Sequence, residues 1–160
     1  MKIGYRRAAS RAASISVVAL AALLALAAAP RVALAAPTSP IGKWKTIDDA
    51  SGKAKSIVEI YDQGGKLYGK IIKLFREPGE DPDPKCDKCT GAKKNQRVIG
   101  MVILEGLWQE GDEWKGGTIL DPDHGQTYRC KIKLEKGKLK VRGFIGVSLL
   151  GRTQYWHPAQ

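Results

Sequence analysis

The stretch "YRCKIKLEKGKLKVRGFI", residues 128–145, alternates apolar and charged side chains on either side of Lys136-Gly137. Alternation with a period of two is typical of strands that bury one face, and a central Lys-Gly pair is typical of a tight turn. The stretch therefore predicts an antiparallel hairpin with one buried face. The residues assigned to that face are Tyr128, Cys130, Ile132, Leu134, Leu139, Val141, Gly143 and Ile145.

The same alternation recurs along the chain, and helical spacing is not sustained over ten positions anywhere after the N-terminal segment. It predicts about eight strands, near residues 41–47, 55–62, 66–75, 98–108, 113–120, 126–135, 138–146 and 152–157. Short connections favour antiparallel neighbours, and an up-and-down barrel of eight strands leaves no exposed edge. The predicted class is all-β, a small antiparallel barrel, with a β-sandwich as the alternative.

The first 35 residues have the features of a secretory signal peptide. A basic start is followed by the uncharged apolar run 15–29 and by the small-x-small pattern Ala33-Leu34-Ala35. The run is shorter than the roughly 20 residues of a membrane-spanning helix. We therefore expect a signal-peptide helix at 1–35, Sec-type export with cleavage near Ala35, and a single domain at 36–160. The expected location is periplasmic or secreted, with no transmembrane segment after cleavage.

Cleavage would also change the charge of the protein. The full chain has 27 Lys and Arg against 16 Asp and Glu, a net charge of +11, and removal of residues 1–35 leaves +6. The remaining lysines alternate along strands and form no basic block. This pattern indicates a solvated sheet face, so no nucleic-acid partner is expected, while an anionic envelope surface stays an alternative partner.

Cys86 and Cys89 lie in the one long predicted connection, residues 76–97. In an oxidising compartment the default state of such a pair is a disulfide, and we expect it to pin the loop. Prolines before the pair and Thr90-Gly91 after it do not fit a redox motif at a helix start. A zinc site would need two further ligands, for which Cys130, His124 and His157 are available. Cys130 is expected to be a buried free thiol.

No motif indicates catalysis, a cofactor or a resident metal. The acidic residues between Glu77 and Asp87 lack the spacing of a calcium loop, and the segment 121–125 has ordinary turn chemistry. The prediction is therefore no catalytic residues, no cofactor and no metal. An enzyme that uses Asp121, Asp123 or His124 together with Arg142 remains an alternative, and it requires those groups to converge.

The chain contains four tryptophans, many for its length. Aromatic residues at strand period usually pack in the core, and in a small barrel they also line a cavity. Core packing stays the alternative to ligand contact. The residues predicted to line a ligand site are Trp44, Tyr68, Trp108, Tyr128, Arg142, Arg152 and Trp156.

Two resemblances follow from particular motifs. Gly42-Lys43-Trp44 is similar to the first-strand motif of lipocalins, which implies that Arg142 or Arg152 covers the Trp44 ring. Five segments in order resemble the exported bacterial family known as domain of unknown function 2147. They are "IGKWKTIDDASGKAKSIVEIY", "GKLYGKIIKL", "CDKCTG", "GGTILDPDHGQTY" and "LKVRGFIGVSLLGRTQYW". The second resemblance implies export and a small β-rich fold, and it carries no assigned activity.

These observations favour a non-enzymatic exported barrel that binds a small apolar or amphipathic molecule or a component of the cell envelope. The alternative is a structural protein without a cavity, which would use its basic sheet face on anionic surfaces. The two differ in whether the barrel is hollow.

Overall fold

The computed structural model describes residues 38–159, so the predicted signal peptide lies outside the described residues. The eight strands are Gly42–Ile47 (β1), Ala54–Gln63 (β2), Lys66–Leu74 (β3), Val102–Glu110 (β4), Glu113–Asp121 (β5), Gln126–Glu135 (β6), Lys138–Phe144 (β7) and Gly151–Pro158 (β8). Each strand pairs antiparallel with the next, and β8 pairs with β1. The predicted eight-stranded up-and-down barrel is confirmed, and the sandwich alternative is wrong.

The hairpin of β6 and β7 follows the alternation in its sequence. Cys130, Ile132, Leu139 and Val141 are buried, while the lysines between them face outward. Lys136 and Gly137 both have positive φ, 50° and 75°, as a tight hairpin turn requires. Burying one apolar side chain of this size contributes roughly 1.5–3 kcal/mol, so the inward positions fix the register of the pair.

Two predicted boundaries are wrong. β4 begins at Val102 instead of 98, because residues 98–101 form a turn with Gly100 at φ 91°. Two hydrogen bonds join this turn to β3: the Gly100 N–H donates to the Ile71 carbonyl at 2.7 Å, and the Ile71 N–H donates to the Met101 carbonyl at 3.0 Å. β7 ends at Phe144, so Ile145, predicted to face inward, is exposed to solvent.

The two ends of the barrel differ. At one end, the closed end, short turns join the strands, and Trp44 Nε1 donates to the carbonyl of the buried Pro40 at 2.7 Å. At the other end, the mouth, lie the connections 48–53, 75–101, 122–125 and 145–150. The longer connections therefore surround one opening.

The seam between β1 and β8 reaches only part of the way to the mouth. Its paired positions are Trp44 with Pro158 and Lys45 with His157, and Ala159 donates to the Lys43 carbonyl at 2.9 Å. Within the described residues the backbone pairing of β1 with β8 ends at Lys45, and side-chain contacts continue the seam toward the mouth.

Candidate functional site

A cavity of about 710 Å³ occupies the mouth half of the barrel. Its deep wall is apolar and is formed by inward positions of four strands. These residues are Ile71, Ile103, Val141 and Trp156. Small-molecule sites typically have volumes of about 300–1,000 Å³ and mostly apolar linings. The cavity therefore has the size and the lining of a ligand site.

Two hydroxyl groups interrupt this apolar lining. Thr46 and Ser56 face each other across β1 and β2, and both side chains are buried. Their oxygens lie 2.7 Å apart, and the Ser56 N–H donates to Thr46 Oγ1 at 3.1 Å. Because buried polar groups are costly unless they are bonded, this pair is a polar feature that the fold satisfies internally. It offers lone pairs to a ligand inside the cavity.

The rim of the mouth carries both signs of charge. Lys55 pairs with Asp123, and His124 Nδ1 lies 2.9 Å from Asp121 Oδ2. Asp48 accepts bonds from the backbone and side chain of Ser51, and the backbone bond above all holds the pKa of this carboxyl below its usual value. The rim therefore suits a polar group, in contrast to the apolar depth.

Asp49 closes the seam between β1 and β8 near the mouth. Its carboxylate pairs with Arg152 and accepts a bond from Gln154 Nε2 at 3.0 Å. Gln154 in turn accepts from Trp156 Nε1 at 3.3 Å. This chain of contacts connects the rim to the aromatic wall where backbone pairing has stopped.

The Cys86–Cys89 disulfide is present, as predicted, and both sulfurs are buried. The disulfide excludes the zinc alternative for this pair, because each sulfur is bonded to the other. Cys130 is the free, buried cysteine, and burial raises the pKa of its thiol to about 12. Both predictions about the cysteines are confirmed.

The disulfide loop packs directly against the turn between β5 and β6. Cys86 Sγ lies 3.2 Å from the Pro122 carbonyl oxygen, and Lys88 Nζ donates to the Asp123 carbonyl at 2.9 Å. A Cβ on Gly125 would lie 2.0 Å from the Lys88 carbonyl oxygen. The pair therefore does more than pin its own loop, because it supports the rim that carries Asp121 and His124.

The structure separates the predicted ligand-lining residues into two groups. Tyr128, Arg152 and Trp156 line the cavity. The other four lie elsewhere. Trp44 is in the core toward the closed end, Tyr68 stacks on Tyr61, Trp108 is 45% exposed and covers Gly116, and Arg142 lies on the outer face.

The predicted contact of an arginine with Trp44 is wrong. Arg142 donates to the Ser148 and Leu149 carbonyls at 2.7 and 3.0 Å, and Arg152 pairs with Asp49. In residues 38–159 the cations over aromatic rings are Lys70, Lys73 and Arg129. Asp121, Asp123 and His124 line the cavity, whereas Arg142 lines a separate cleft on the outer face.

Sequence reasoning missed most of the apolar wall. Ile71 and Ile103 were not singled out, and Val141 was assigned only to the buried face of its hairpin, although inward alternation near the mouth ends of strands was a usable signal. The hydroxyl pair was missed because threonine and serine are ordinary surface residues of strands. Only the register of β1 with β2 shows that they meet inside.

The family comparison decides the relationship of this chain to known proteins. Residues 42–158 match the family described as "Uncharacterized protein conserved in bacteria (DUF2147)". The chain belongs to the DUF2147 family. No curated protein matches this DUF2147 chain.

Among solved structures, the chain is similar to protein HP1028 from the human pathogen Helicobacter pylori, which is described as belonging to the lipocalin family. The two are 22% identical with a TM-score of 0.67, over 78% of this chain and 85% of the other. At this identity the likeness shows a shared fold alone. In the described part of this DUF2147 protein, no helix is long and apolar enough to span a bilayer.

Proposed function

We propose that this DUF2147 protein is an exported binding protein that takes a small amphipathic molecule into the mouth cavity. The observation that carries the proposal is the contrast between the apolar depth of the cavity and its charged rim. A hydrocarbon part would lie against Ile71, Ile103 and Trp156, while a polar head would remain at the rim. Burying apolar surface contributes about 25 cal/mol per Å², so a short alkyl chain supplies substantial affinity.

Two further features support binding over catalysis. The thiol of Cys130 stays neutral because it is buried, so it is not a nucleophile. The hydroxyls of Thr46 and Ser56 bond to each other, and within residues 38–159 neither has a histidine among its hydrogen-bond partners. These features of the cavity therefore favour the binding of a molecule over a chemical reaction with it.

The location belongs to the same proposal. The N-terminal segment supports export, and a disulfide suits an oxidising compartment. N-terminal sequencing of the protein recovered from the periplasm tests this point. A chain that begins at Ala36 supports it, and a chain found only in the cytoplasm with residues 1–35 attached contradicts it.

The binding test uses Gly143, which lines the cavity on β7. A Cβ at this position would make ordinary contacts of 3.5 Å with Ile119 and Tyr128, so the backbone tolerates a side chain there. Gly143→Leu should fill part of the cavity without disturbing the sheet. The control is Lys138→Leu, an exposed position on the same strand near the closed end.

Isothermal titration calorimetry with palmitic acid and with lysophosphatidylcholine measures the effect. We expect the unsubstituted protein and Lys138→Leu to bind at least one of the two amphiphiles with equal affinity. Gly143→Leu should bind at least about tenfold more weakly, because it displaces apolar contacts worth at least 1.4 kcal/mol. Equal affinity in all three proteins, or no binding of either amphiphile, would refute the proposal.

A further inference from the structure

The connection between β7 and β8, residues 145–150, exposes an unusual number of apolar side chains. Four of its six residues are large and hydrophobic, and they are between 62% and 85% exposed. They are Ile145, Val147, Leu149 and Leu150. Isolated exposed apolar residues are common, but a cluster of this kind marks an interaction surface. We call residues 145–150 the apolar loop.

Arg142 fixes the backbone of the apolar loop by hydrogen bonds to its carbonyl groups. Arg142 donates to the carbonyls of Ser148 and Leu149, and also to Thr153 Oγ1 at 2.7 Å. The Leu150 N–H donates to the Val147 carbonyl at 3.1 Å. These bonds satisfy backbone groups that would otherwise need water. A loop whose polar backbone is already bonded can enter an apolar medium at lower cost.

Two unpaired arginines contact the apolar loop. Arg142 and Arg129 form no ion pair with a carboxylate within residues 38–159, and Arg129 reaches toward the Gly146 carbonyl. Beneath Leu149 a cleft of about 360 Å³ is lined by Arg142 and three lysines, with Glu113 as its one carboxylate. The lysines are paired with Glu113, Asp112 and Glu135, so the uncompensated charge is that of the two arginines.

We propose that the apolar loop inserts into the surface of an anionic lipid bilayer while the arginines at its base contact lipid phosphates. Apolar side chains next to unpaired cations are an arrangement that binds at a membrane interface, where burial and attraction to anionic lipid add together. The unpaired arginines favour this partner over an apolar protein surface, which would leave their charges uncompensated.

The position of the apolar loop determines which end of the barrel would face the membrane. Ile145, Leu149 and Leu150 also line the mouth of the cavity. Insertion would therefore turn the mouth toward the lipid. The membrane contact does not depend on ligand binding in the cavity, and it is tested in the absence of any added ligand.

A fluorescent probe attached within the loop reports insertion locally. The native cysteines are either bonded to each other or buried, so a cysteine introduced as Val147→Cys is labelled selectively in the full chain. An environment-sensitive nitrobenzoxadiazole label at this position should shift to shorter wavelength with vesicles of phosphatidylcholine and phosphatidylglycerol. The control label goes on Ile41→Cys, an exposed apolar position beside the closed end, and should not shift.

Substitutions then test separately the burial of the leucines and the attraction of the arginines to anionic lipid. Leu149→Ser with Leu150→Ser should weaken vesicle binding by about tenfold for each leucine, since each loses the burial of one apolar side chain. Arg129→Gln should weaken binding only to vesicles that contain phosphatidylglycerol and should reduce its dependence on salt. Unchanged binding in the leucine variant would overturn the proposal.

Other patterns of probe shift would contradict insertion of the apolar loop. A shift at position 41 equal to that at 147 would place the membrane contact elsewhere, and no shift with any vesicle would exclude it. A shift at 147 that needs no vesicles and grows with protein concentration would identify a second copy of this chain as the partner, which contradicts the proposal.

Discussion

Replacing both Cys86 and Cys89 with alanine should destabilise the barrel without unfolding it. The two residues are three positions apart, so loop closure alone accounts for about 2 kcal/mol. Both sulfurs are also buried, and each loss from the core costs about 1 kcal/mol, as for a buried methyl group. The expected total is about 4 kcal/mol, which is less than the roughly 5–15 kcal/mol free energy of unfolding of a typical domain, so the barrel should remain folded.

Cys130→Ala is the matched control, because it removes one buried sulfur and no cross-link. It should cost about 1 kcal/mol. For a domain of this size 1 kcal/mol corresponds to roughly 3–5 °C in melting temperature. Thermal unfolding followed by circular dichroism should therefore show a decrease of about 12–20 °C for the double variant and about 3–5 °C for the control.

The difference between the two proteins isolates the cross-link. If the double variant loses only twice what Cys130→Ala loses, the disulfide contributes nothing beyond its buried sulfurs. If the double variant shows no cooperative transition, the loop is required for the barrel, and the claim that it only supports the rim is wrong. In the native protein the Cys86 N–H donates to the Gln96 carbonyl and the Val98 N–H donates to the Pro84 carbonyl. In the double variant, hydrogen exchange should become faster at the amides of this segment, residues 84–98.

Two further predictions concern the core thiol and the rim. Since burial raises the pKa of Cys130 to about 12, the unfolded chain releases this proton at lower pH than the folded one. Stability should therefore fall as the pH rises above about 9, and Cys130→Ala should flatten that fall in urea titrations between pH 9 and 12. Gly125→Ala should cost about 1–3 kcal/mol more than Gly146→Ala, because both glycines have positive φ but only a Cβ at 125 meets backbone. Equal melting temperatures for the two alanine variants would contradict the packing of the disulfide loop on this turn.

Strand positions were predictable because inward and outward residues differ in polarity. The alternation from Tyr128 to Val141 needs only one buried face to set the register, and β6 lies at the predicted residues 126–135. Such patterns do not show where an irregularity in a strand exchanges its inward and outward positions. Leu104 and Leu107 are both buried although three positions apart, because Gly106 has φ 73° and shifts the register of β4.

That shift explains why Trp108 was misplaced. Counting by twos from Leu104 puts Trp108 inside, whereas the structure puts it outside on Gly116, where a Cβ would lie 1.6 Å from the indole. The apolar loop was missed for a related reason, because its residues continue the apolar character of β7 past the strand end. Loop conformation depends on contacts such as those of Arg142, which no local pattern records.

The central claim is that the barrel holds an amphiphile in its mouth cavity, and quenching of individual tryptophans tests it most directly. Trp156 lines the cavity and Trp108 lies outside it, so a brominated ligand in the cavity should quench only the former. Titration of dibromostearic acid should give saturable quenching in the unsubstituted protein and in Trp108→Phe, and this quenching should be largely lost in Trp156→Phe. Quenching that survives in Trp156→Phe and disappears in Trp108→Phe would place the ligand on the outer surface and contradict the account.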